Sequence, residues 1–487
     1  MKWQPIFSII GFMIVLCGFM MLLPACMDYM HDNMKSAKIF AVTGALTVAA
    51  GSVFLLSTEQ RQAPLKTKEM FVTTTLIWLF YVFFCSLPYF FSFYDLGFAR
   101  SIFESVSGLT TTGATIFDNL DSLPKGVLLW RSLTHWMGGL GILVVAILIL
   151  PVLRTGGMQL FNIEVSGDNN RDAPTIFQNV SGILIYFFLF TVFAAVCLKL
   201  AGMSLFDAVN HAMSVVSTGG FSTHDESIAY FNSPLIQWVL SLFMLWGGLP
   251  LMFTIYLLHG SFDVIKKNEQ IKLFCIVFLG CVFLMGALRW ALVSFNNDSL
   301  ETILRTTVFS VASVLTTTGF TLDNYQLWGS WAMAFFMVLM LPGGCTGSTT
   351  GGIKMFRLSV LFKIIHAKLK STARPHGVFV PRYADKAIEE DVVFGVLTYI
   401  GLYFISLFVG TLVLSLCHLD FVSAFSGALS ALSNIGPALG EFVGPDKTFA
   451  FLPPASLYVL SFLMLLGRLE FVAVLILVLP FFWKKNI

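Results

Sequence analysis

Apolar residues gather into ten long runs, near residues 5–25, 38–57, 71–93, 128–152, 176–201, 234–258, 272–295, 328–356, 392–416 and 455–480, the eighth with an interruption. A helix needs about 20 such residues to cross the hydrocarbon of a bilayer, and each run reaches that length. The pattern predicts an all-α membrane protein of ten transmembrane helices. The first run has the look of a cleaved signal but is longer than a usual signal core, so it is read as a retained helix.

Four shorter amphipathic segments, 98–109, 204–216, 301–315 and 420–432, are too brief to cross and are predicted to be re-entrant helices. Each runs into a strip of one form. Ser107-Gly-Leu-Thr-Thr-Thr-Gly113 is answered by Ser214-Val-Val-Ser-Thr-Gly-Gly220, Ser313-Val-Leu-Thr-Thr-Thr-Gly319 and Ser430-Ala-Leu-Ser-Asn-Ile-Gly436. All four are Ser-x5-Gly, with a hydroxyl three residues before the last glycine at Thr110, Ser217, Thr316 and Ser433. The frame marks a fourfold internal repeat. Residues 1–57 lie outside it as an N-terminal two-helix hairpin, followed by units at 58–170, 171–268, 269–388 and 389–487.

Glycine accepts backbone dihedrals that other residues resist, so a strip ending in glycine can turn its carbonyls toward a common axis. Non-helical backbone at membrane depth survives only where protein buries it or where it lines a watery cavity. Four strips around one axis would form a ring of carbonyl oxygens able to replace a cation's hydration shell. A re-entrant helix aims its negative C-terminal end at the interior, which suits the same charge.

Composition narrows the class. With mean hydropathy at +0.83, 57% hydrophobic residues and 11% charged, a soluble globule is excluded. Basic residues fall in alternate connections: Lys66, Lys68, Arg154, Arg171, Lys266, Lys267, Lys272, the stretch from Arg357 to Lys386, then Lys484 and Lys485. The positive-inside rule makes these connections and both termini cytoplasmic. Acids follow each strip on the other side (Asp118 and Asp121, Asp225 and Glu226, Asp323, Glu441 and Asp446), as a cation-concentrating funnel or as solvated loops. The eight cysteines form no CxxC pair and read as small hydrophobes.

Each unit's second run carries a glycine, at Gly139, Gly248, Gly344 and Gly467, read as close helix packing. In the third unit this expands to Pro342-Gly-Gly-Cys-Thr-Gly-Ser-Thr-Thr-Gly-Gly-Ile-Lys354, through which no helix persists. The segment is expected beneath the strips, as a movable gate or a static kink. The Walker spacing is absent. Arg468 and Glu470 sit inside the last run, where ionisable groups face a cavity or each other, and Arg468 is open to pairing with the carbonyls of that glycine-rich segment or with the glutamate. Arg131 and His135 are read as interfacial anchors, His211 as a satisfied structural histidine, and His224 likewise, although either histidine could sense pH at the mouth.

The four strips resemble the degenerate filters of the Trk/Ktr/HKT superfamily of cation transporters. Gly343 to Lys354 is similar to that family's intramembrane gating loop, Arg468 to its fourth-unit arginine, and the extra N-terminal helices to the bacterial Trk-type membrane subunit. The resemblance implies potassium uptake across a bacterial inner membrane and no enzymatic activity. The filter would comprise Thr111, Thr112, Gly113, Thr218, Gly219, Gly220, Thr317, Thr318, Gly319, Asn434, Ile435 and Gly436. The gate would comprise Gly343, Gly344, Cys345, Thr346, Gly347, Ser348, Thr349, Thr350, Gly351, Gly352 and Arg468. It further implies K+ as the transported ion, a homodimer in membrane lipid, and a cytoplasmic TrkA-like regulatory subunit holding the only nucleotide, with no nucleic acid involved. The strips lack the Thr-Val-Gly-Tyr-Gly run that stacks several carbonyl rings, so weaker exclusion of sodium is expected. Two competing readings are an ion-coupled carrier, which predicts broken helices in both halves where the sequence shows one interrupted unit, and an intramembrane enzyme using His135, His211 or Ser348, for which no catalytic pattern exists.

Overall fold

A computed structural model describes residues 3–57, 66–92, 96–144, 180–258, 260, 266, 268–293, 299–384 and 386–484. Arg154, Arg171, Lys267, Lys485 and the far end of the run at 128–152 lie outside the described residues.

The N-terminal hairpin comprises α1 (Trp3–Met20), α2 (Leu22–Met30) and α3 (Met34–Leu56). Its helices meet along a glycine seam: a Cβ at Gly11 or Gly18 would strike the carbonyl of Gly51 or Gly44, and the reverse holds too. Small residues let backbones approach in lipid, where no hydrophobic force drives association. Asp28, fully buried at the end of α2, accepts a 2.6 Å bond from the Gly126 amide and so caps, from outside, the helix of the next unit that begins at Lys125.

The first unit runs α4 (Thr67–Phe90), α5 (Gly97–Leu109) and α6 (Lys125–Val144). The second runs α7 (Val180–Leu200), α8 (Leu205–Val216), α9 (Pro234–Gly247) and α10 (Leu251–Leu258). The third runs α11 (Glu269–Val293), α12 (Leu300–Leu315), α13 (Ser330–Leu339) and α14 (Met355–Ala373). After a small ribbon of β1 (Arg382–Tyr383) and β2 (Lys386–Ala387), the fourth runs α15 (Glu390–Leu416), α16 (Phe421–Ser433), α17 (Pro454–Arg468), α18 (Phe471–Val478) and α19 (Pro480–Trp483).

The short helices α5, α8, α12 and α16 have 13, 12, 16 and 13 residues. At about 1.5 Å per residue they fall short of a bilayer core of about 30 Å. Three begin on a side-chain cap, with Ser204, Ser299 and Asp420 accepting from the amides of Asp207, Thr302 and Ser423.

Seven helices among the described residues are long and apolar enough to cross a membrane. The runs at 234–258, 328–356 and 455–480, expected as spans with one interruption among them, are each broken. Pro250, whose ring removes an amide and clashes with the preceding turn, separates α9 from α10. Residues 340–354 separate α13 from α14, and Glu470, at φ 62°, separates α17 from α18. Interruption therefore affects three units and not one.

Candidate pore strips and the loop beneath them

Each short helix ends the same way. The amides of Thr112, Gly219, Thr318 and Ile435 reach back to the carbonyls of Ser107, Ser214, Ser313 and Ser430 at 2.8–3.0 Å. This is the six-to-one bond of a Schellman ending; it uses the serine's backbone carbonyl, while the hydroxyls of Ser313 and Ser430 donate to the carbonyls of Phe320 and Gly436. The ending requires a left-handed residue, supplied by Thr111, Thr218, Thr317 and Asn434 at φ 51–55°. That conformation is an outlier for a β-branched residue and costs of order 1–3 kcal/mol. The sequence pointed to the glycines alone; the asparagine, which tolerates this region, was the one signal of the second strained position.

Two residues further on stand Gly113, Gly220, Gly319 and Gly436 at φ 80–101°. They close a ring. A Cβ on Gly113 would fall on the carbonyl of Gly219, one on Gly220 on that of Thr318, one on Gly319 on that of Ile435, and one on Gly436 on that of Thr112. Each glycine thus abuts the carbonyl just before the next strip's glycine, in one register all the way round. Asn434 adds a lateral tie, its amide donating to the Thr112 hydroxyl at 3.1 Å and to the Met464 carbonyl at 2.9 Å.

Above the ring lies a cavity of about 420 Å3 lined by the four glycines together with Asp225, Glu226, Asp323 and Asp446. Three of the acids serve the seams between units. Asp121 meets His224, Asp118 accepts from the Thr448 hydroxyl, and Asp225, besides lining the cavity, accepts from the Leu120 amide at 2.8 Å. Both the funnel and the loop reading therefore describe part of this acid set.

The interrupted segment of the third unit folds directly against the strips. The Gly351 amide donates to the Thr317 hydroxyl at 2.7 Å, Thr218 donates to the Thr349 hydroxyl at 3.2 Å, and a Cβ on Gly351 would strike the Ser433 carbonyl. The Cys345 amide donates to the Gly248 carbonyl, the Leu251 amide to the Gly347 carbonyl, and the Thr346 amide to the Gln270 side chain. So the bonds given up by the broken helix α13–α14 are remade partly to the second unit, at Thr218, Gly248 and Leu251, and partly within the third, at Gln270 and Thr317. Gly343, Gly347 and Gly352 supply the positive φ that the turns require. Thr350 closes the loop on itself, accepting from the Gly344 amide, while its carbonyl accepts from Lys354.

Arg468, 3% exposed, donates from Nη1 to the Thr349 carbonyl at 2.8 Å, and its Nε and Nη2 have no hydrogen-bond partner among the described residues. Its neighbour Glu470 does not pair with it. The carboxylate takes Arg357 of α14 at 2.5 Å, a residue whose guanidinium also lies over the Tyr399 ring at 3.7 Å. Of the two partners the sequence left open for Arg468, it takes the loop carbonyl and not Glu470, and the two residues make separate cross-unit contacts. His211 is satisfied, between the Asp207 carbonyl at 2.8 Å and the Ser222 hydroxyl at 3.0 Å.

Arg131 and His135 are not interfacial. Both are buried on α6, behind strips one and two. His135 Nδ1 donates to the Gly108 carbonyl at 2.7 Å while Nε2 accepts from the Phe221 amide at 3.2 Å. Arg131 pairs at 2.8 Å with Glu104 of α5, a fully buried acid that sequence reasoning passed over. The signal was available: an ionisable residue inside an apolar segment calls for a partner.

The TrkH family profile, described as a cation transport protein, matches residues 36–485. The chain belongs to the TrkH family. As a TrkH-family chain it is a multi-pass membrane cation transporter, not an enzyme. It is 37% identical to the Trk system potassium uptake protein TrkI of Halomonas elongata, across 99% of this chain and 98% of that one. It is 34% identical to the Trk system potassium uptake protein TrkH of Salmonella typhimurium, across the full length of both. The crystal structure of the potassium transporter TrkH from Vibrio parahaemolyticus matches its fold with a TM-score of 0.89 at 30% identity, covering 99% of this chain and 100% of the other.

Proposed function

We propose that the chain carries potassium into a bacterial cell across the inner membrane, through a channel-like pore in which the four strips are the selectivity filter and the loop 343–352 with Arg468 is the gate. The observation that carries this reading is the closed register of the four glycines against the four carbonyls. A ring of backbone oxygens on strained, fixed turns can take the place of water around an alkali cation. Acids in the outer cavity raise the local cation concentration. The names of the relatives, potassium uptake proteins, agree with K+ as the transported ion.

Below the ring, Arg468 puts a fixed positive charge against the loop, which disfavours a cation resting there while the loop is in place. In this reading both termini are cytoplasmic, two copies associate in the membrane, and a TrkA-like nucleotide-binding subunit docks on the basic segment from Arg357 to Lys386 to move the loop through α14. The carrier alternative gains one point from the breaks in the second and fourth units, since broken helices then occur in both halves. Potassium-dependent growth of uptake-deficient cells carrying this chain, with and without the regulator, tests the reading. Growth at low potassium that needs the regulator is expected; no growth with either arrangement would overturn it. Tracer flux in vesicles separates the two modes, because a pore equilibrates to the potassium potential whereas a coupled carrier runs past it.

A further inference from the structure

We propose that Arg131 and Glu104 are positioning residues that set the ion discrimination of the ring by fixing the spacing of strips one and two. The inference rests on reading the ring as a filter, and it concerns residues that touch no ion. The Arg131 guanidinium uses all three of its nitrogens behind the strips. Nε donates to Glu104 Oε1 at 2.8 Å, Nη1 to the Ser222 carbonyl at 2.9 Å, and Nη2 to the Thr115 hydroxyl at 3.0 Å. Thr115 and Ser222 occupy the same register, each two residues past its strip's glycine. One rigid planar fork therefore spans the exits of two neighbouring strips.

Two residues of extended chain reach at most about 7 Å, so a displacement at these exits is felt at the carbonyl contact between Gly219 and Gly113. Glu104 holds the fork's other side. Its Oε2 also accepts from the Ile116 amide at 2.9 Å, next to Thr115, which ties α5, strip one and the guanidinium into one bonded group. The pair is dry, with 1% of the Arg131 side chain and none of Glu104 exposed. The guanidinium also lies over the Phe221 ring at 4.1 Å, immediately after the second glycine.

The next seam is closed differently, by the Ile228 amide on the Thr321 carbonyl at 3.0 Å and the Thr321 amide on the Ser227 hydroxyl. Between strips four and one the Phe449 amide donates to the Thr115 carbonyl at 2.8 Å. A lysine in place of Arg131 keeps the charge but cannot hold three acceptors in one plane. The geometry therefore makes the fork's shape, more than its charge, the quantity that matters.

The full chain is reconstituted in vesicles and the potassium over sodium permeability ratio is read from bi-ionic reversal potentials, for Arg131→Lys, Glu104→Gln and the double variant Arg131→Met with Glu104→Gln. The double variant removes both buried charges at once, a change that packed interiors tolerate better than removal of one partner. Each variant that elutes as the parent does is expected to lose discrimination by about threefold to tenfold while still conducting potassium. An unchanged ratio in the folded double variant or in folded Arg131→Lys would overturn the proposal, provided Gly319→Ser shifts the ratio in the same assay. If Gly319→Ser also leaves the ratio unchanged, it is the filter reading that falls, and this inference with it.

Discussion

The first and third units carry nearly the same strip, Leu-Thr-Thr-Thr-Gly in both, yet what lies beneath the strips differs. Under the first, α6 runs unbroken from Lys125 to Val144, and Gly138 and Gly139 bring it against the Leu109 carbonyl and Ser217. Under the third, the corresponding glycines open into a loop whose hydrogen bonds reach Thr218, Gly248, Leu251 and Arg468 of other units as well as Gln270 and Thr317 of its own. The upper layer is a symmetric ring made of backbone, and the lower layer is asymmetric. Selection needs equivalent oxygens around an axis, whereas switching needs one element with somewhere to go. On the proposed reading, the chain separates the two by keeping the backbone register of the ring while the lower layer departs from the repeat.

Magnitudes agree with that division. At about 1 kcal/mol net apiece, the six bonds from the loop to Gly248, Leu251, Gln270, Thr317, Thr218 and Arg468 sum to roughly 6 kcal/mol. Moving a two-state equilibrium from 1:99 to 99:1 takes about 5.5 kcal/mol. A docking partner can supply that difference. The ring cannot yield so cheaply, because every glycine in it combines a positive φ with a neighbouring carbonyl where a side chain would stand.

The largest effect is expected at the ring. Gly220→Ser and Gly319→Ser should reduce potassium over sodium discrimination by about tenfold, with strain of order 1–3 kcal/mol visible as a lower Tm. Unchanged bi-ionic potentials in both would break the upper half of the comparison. Next, Arg468→Gln should release the Thr349 carbonyl and raise basal flux without the regulator severalfold, leaving the ion ratio intact. If basal flux is unaltered, the loop is a static kink. A smaller contrast sharpens the point about backbone: Gly141→Ala, in continuous α6 with only the Trp78 ring at 4.0 Å, should be neutral or stabilise by up to about 1 kcal/mol, whereas Gly351→Ala, which would strike the Ser433 carbonyl, should destabilise. Thermal melts of the two would reveal a reversed order at once.

The smallest effect belongs to the outer seam of His224 with Asp121 and Asp207. Burial alone would lower the histidine's pKa, but the carboxylates of Asp207 and Asp121 beside its ring outweigh it and raise the value above 6.5. Asp121 moves the other way, because the His224 bond outweighs its own desolvation and lowers it below 3.8. The histidine's contribution is complete below pH 6.5 and fades as pH rises through its raised pKa; that of Asp121 is complete above pH 3.8 and is lost in acid. With Asp121 half exposed the gain stays under about 1 kcal/mol. Stability that keeps rising above neutral pH in the wild type, and equally in His224→Gln, would exclude this contact as a contributor.

Much of the upper layer was legible because it is local. The Ser-x5-Gly frame encodes one helix ending, and a helix ending needs only its own six residues. The lower layer was legible only where the composition was extreme, at Gly343 to Gly352. The breaks at Pro250 and Glu470 were hidden inside apolar runs, since Gly248 and Gly467 read equally well as packing residues. Arg131 was placed at an interface because its partner Glu104 lies in a different helix, and pairing between elements leaves no mark on spacing. Arg468 and Glu470, adjacent enough to suggest a pair, turned outward to Thr349 and Arg357, a choice made by tertiary packing.

The most direct test of a symmetric selecting layer over an asymmetric switching layer is rubidium and sodium tracer flux into vesicles containing the wild type, Gly319→Ser or Arg468→Gln. The account predicts that Gly319→Ser changes the ratio of the two fluxes without a rise in leak, and that Arg468→Gln raises both fluxes at a constant ratio. A ratio shift from Arg468→Gln together with an unshifted ratio in Gly319→Ser would contradict it.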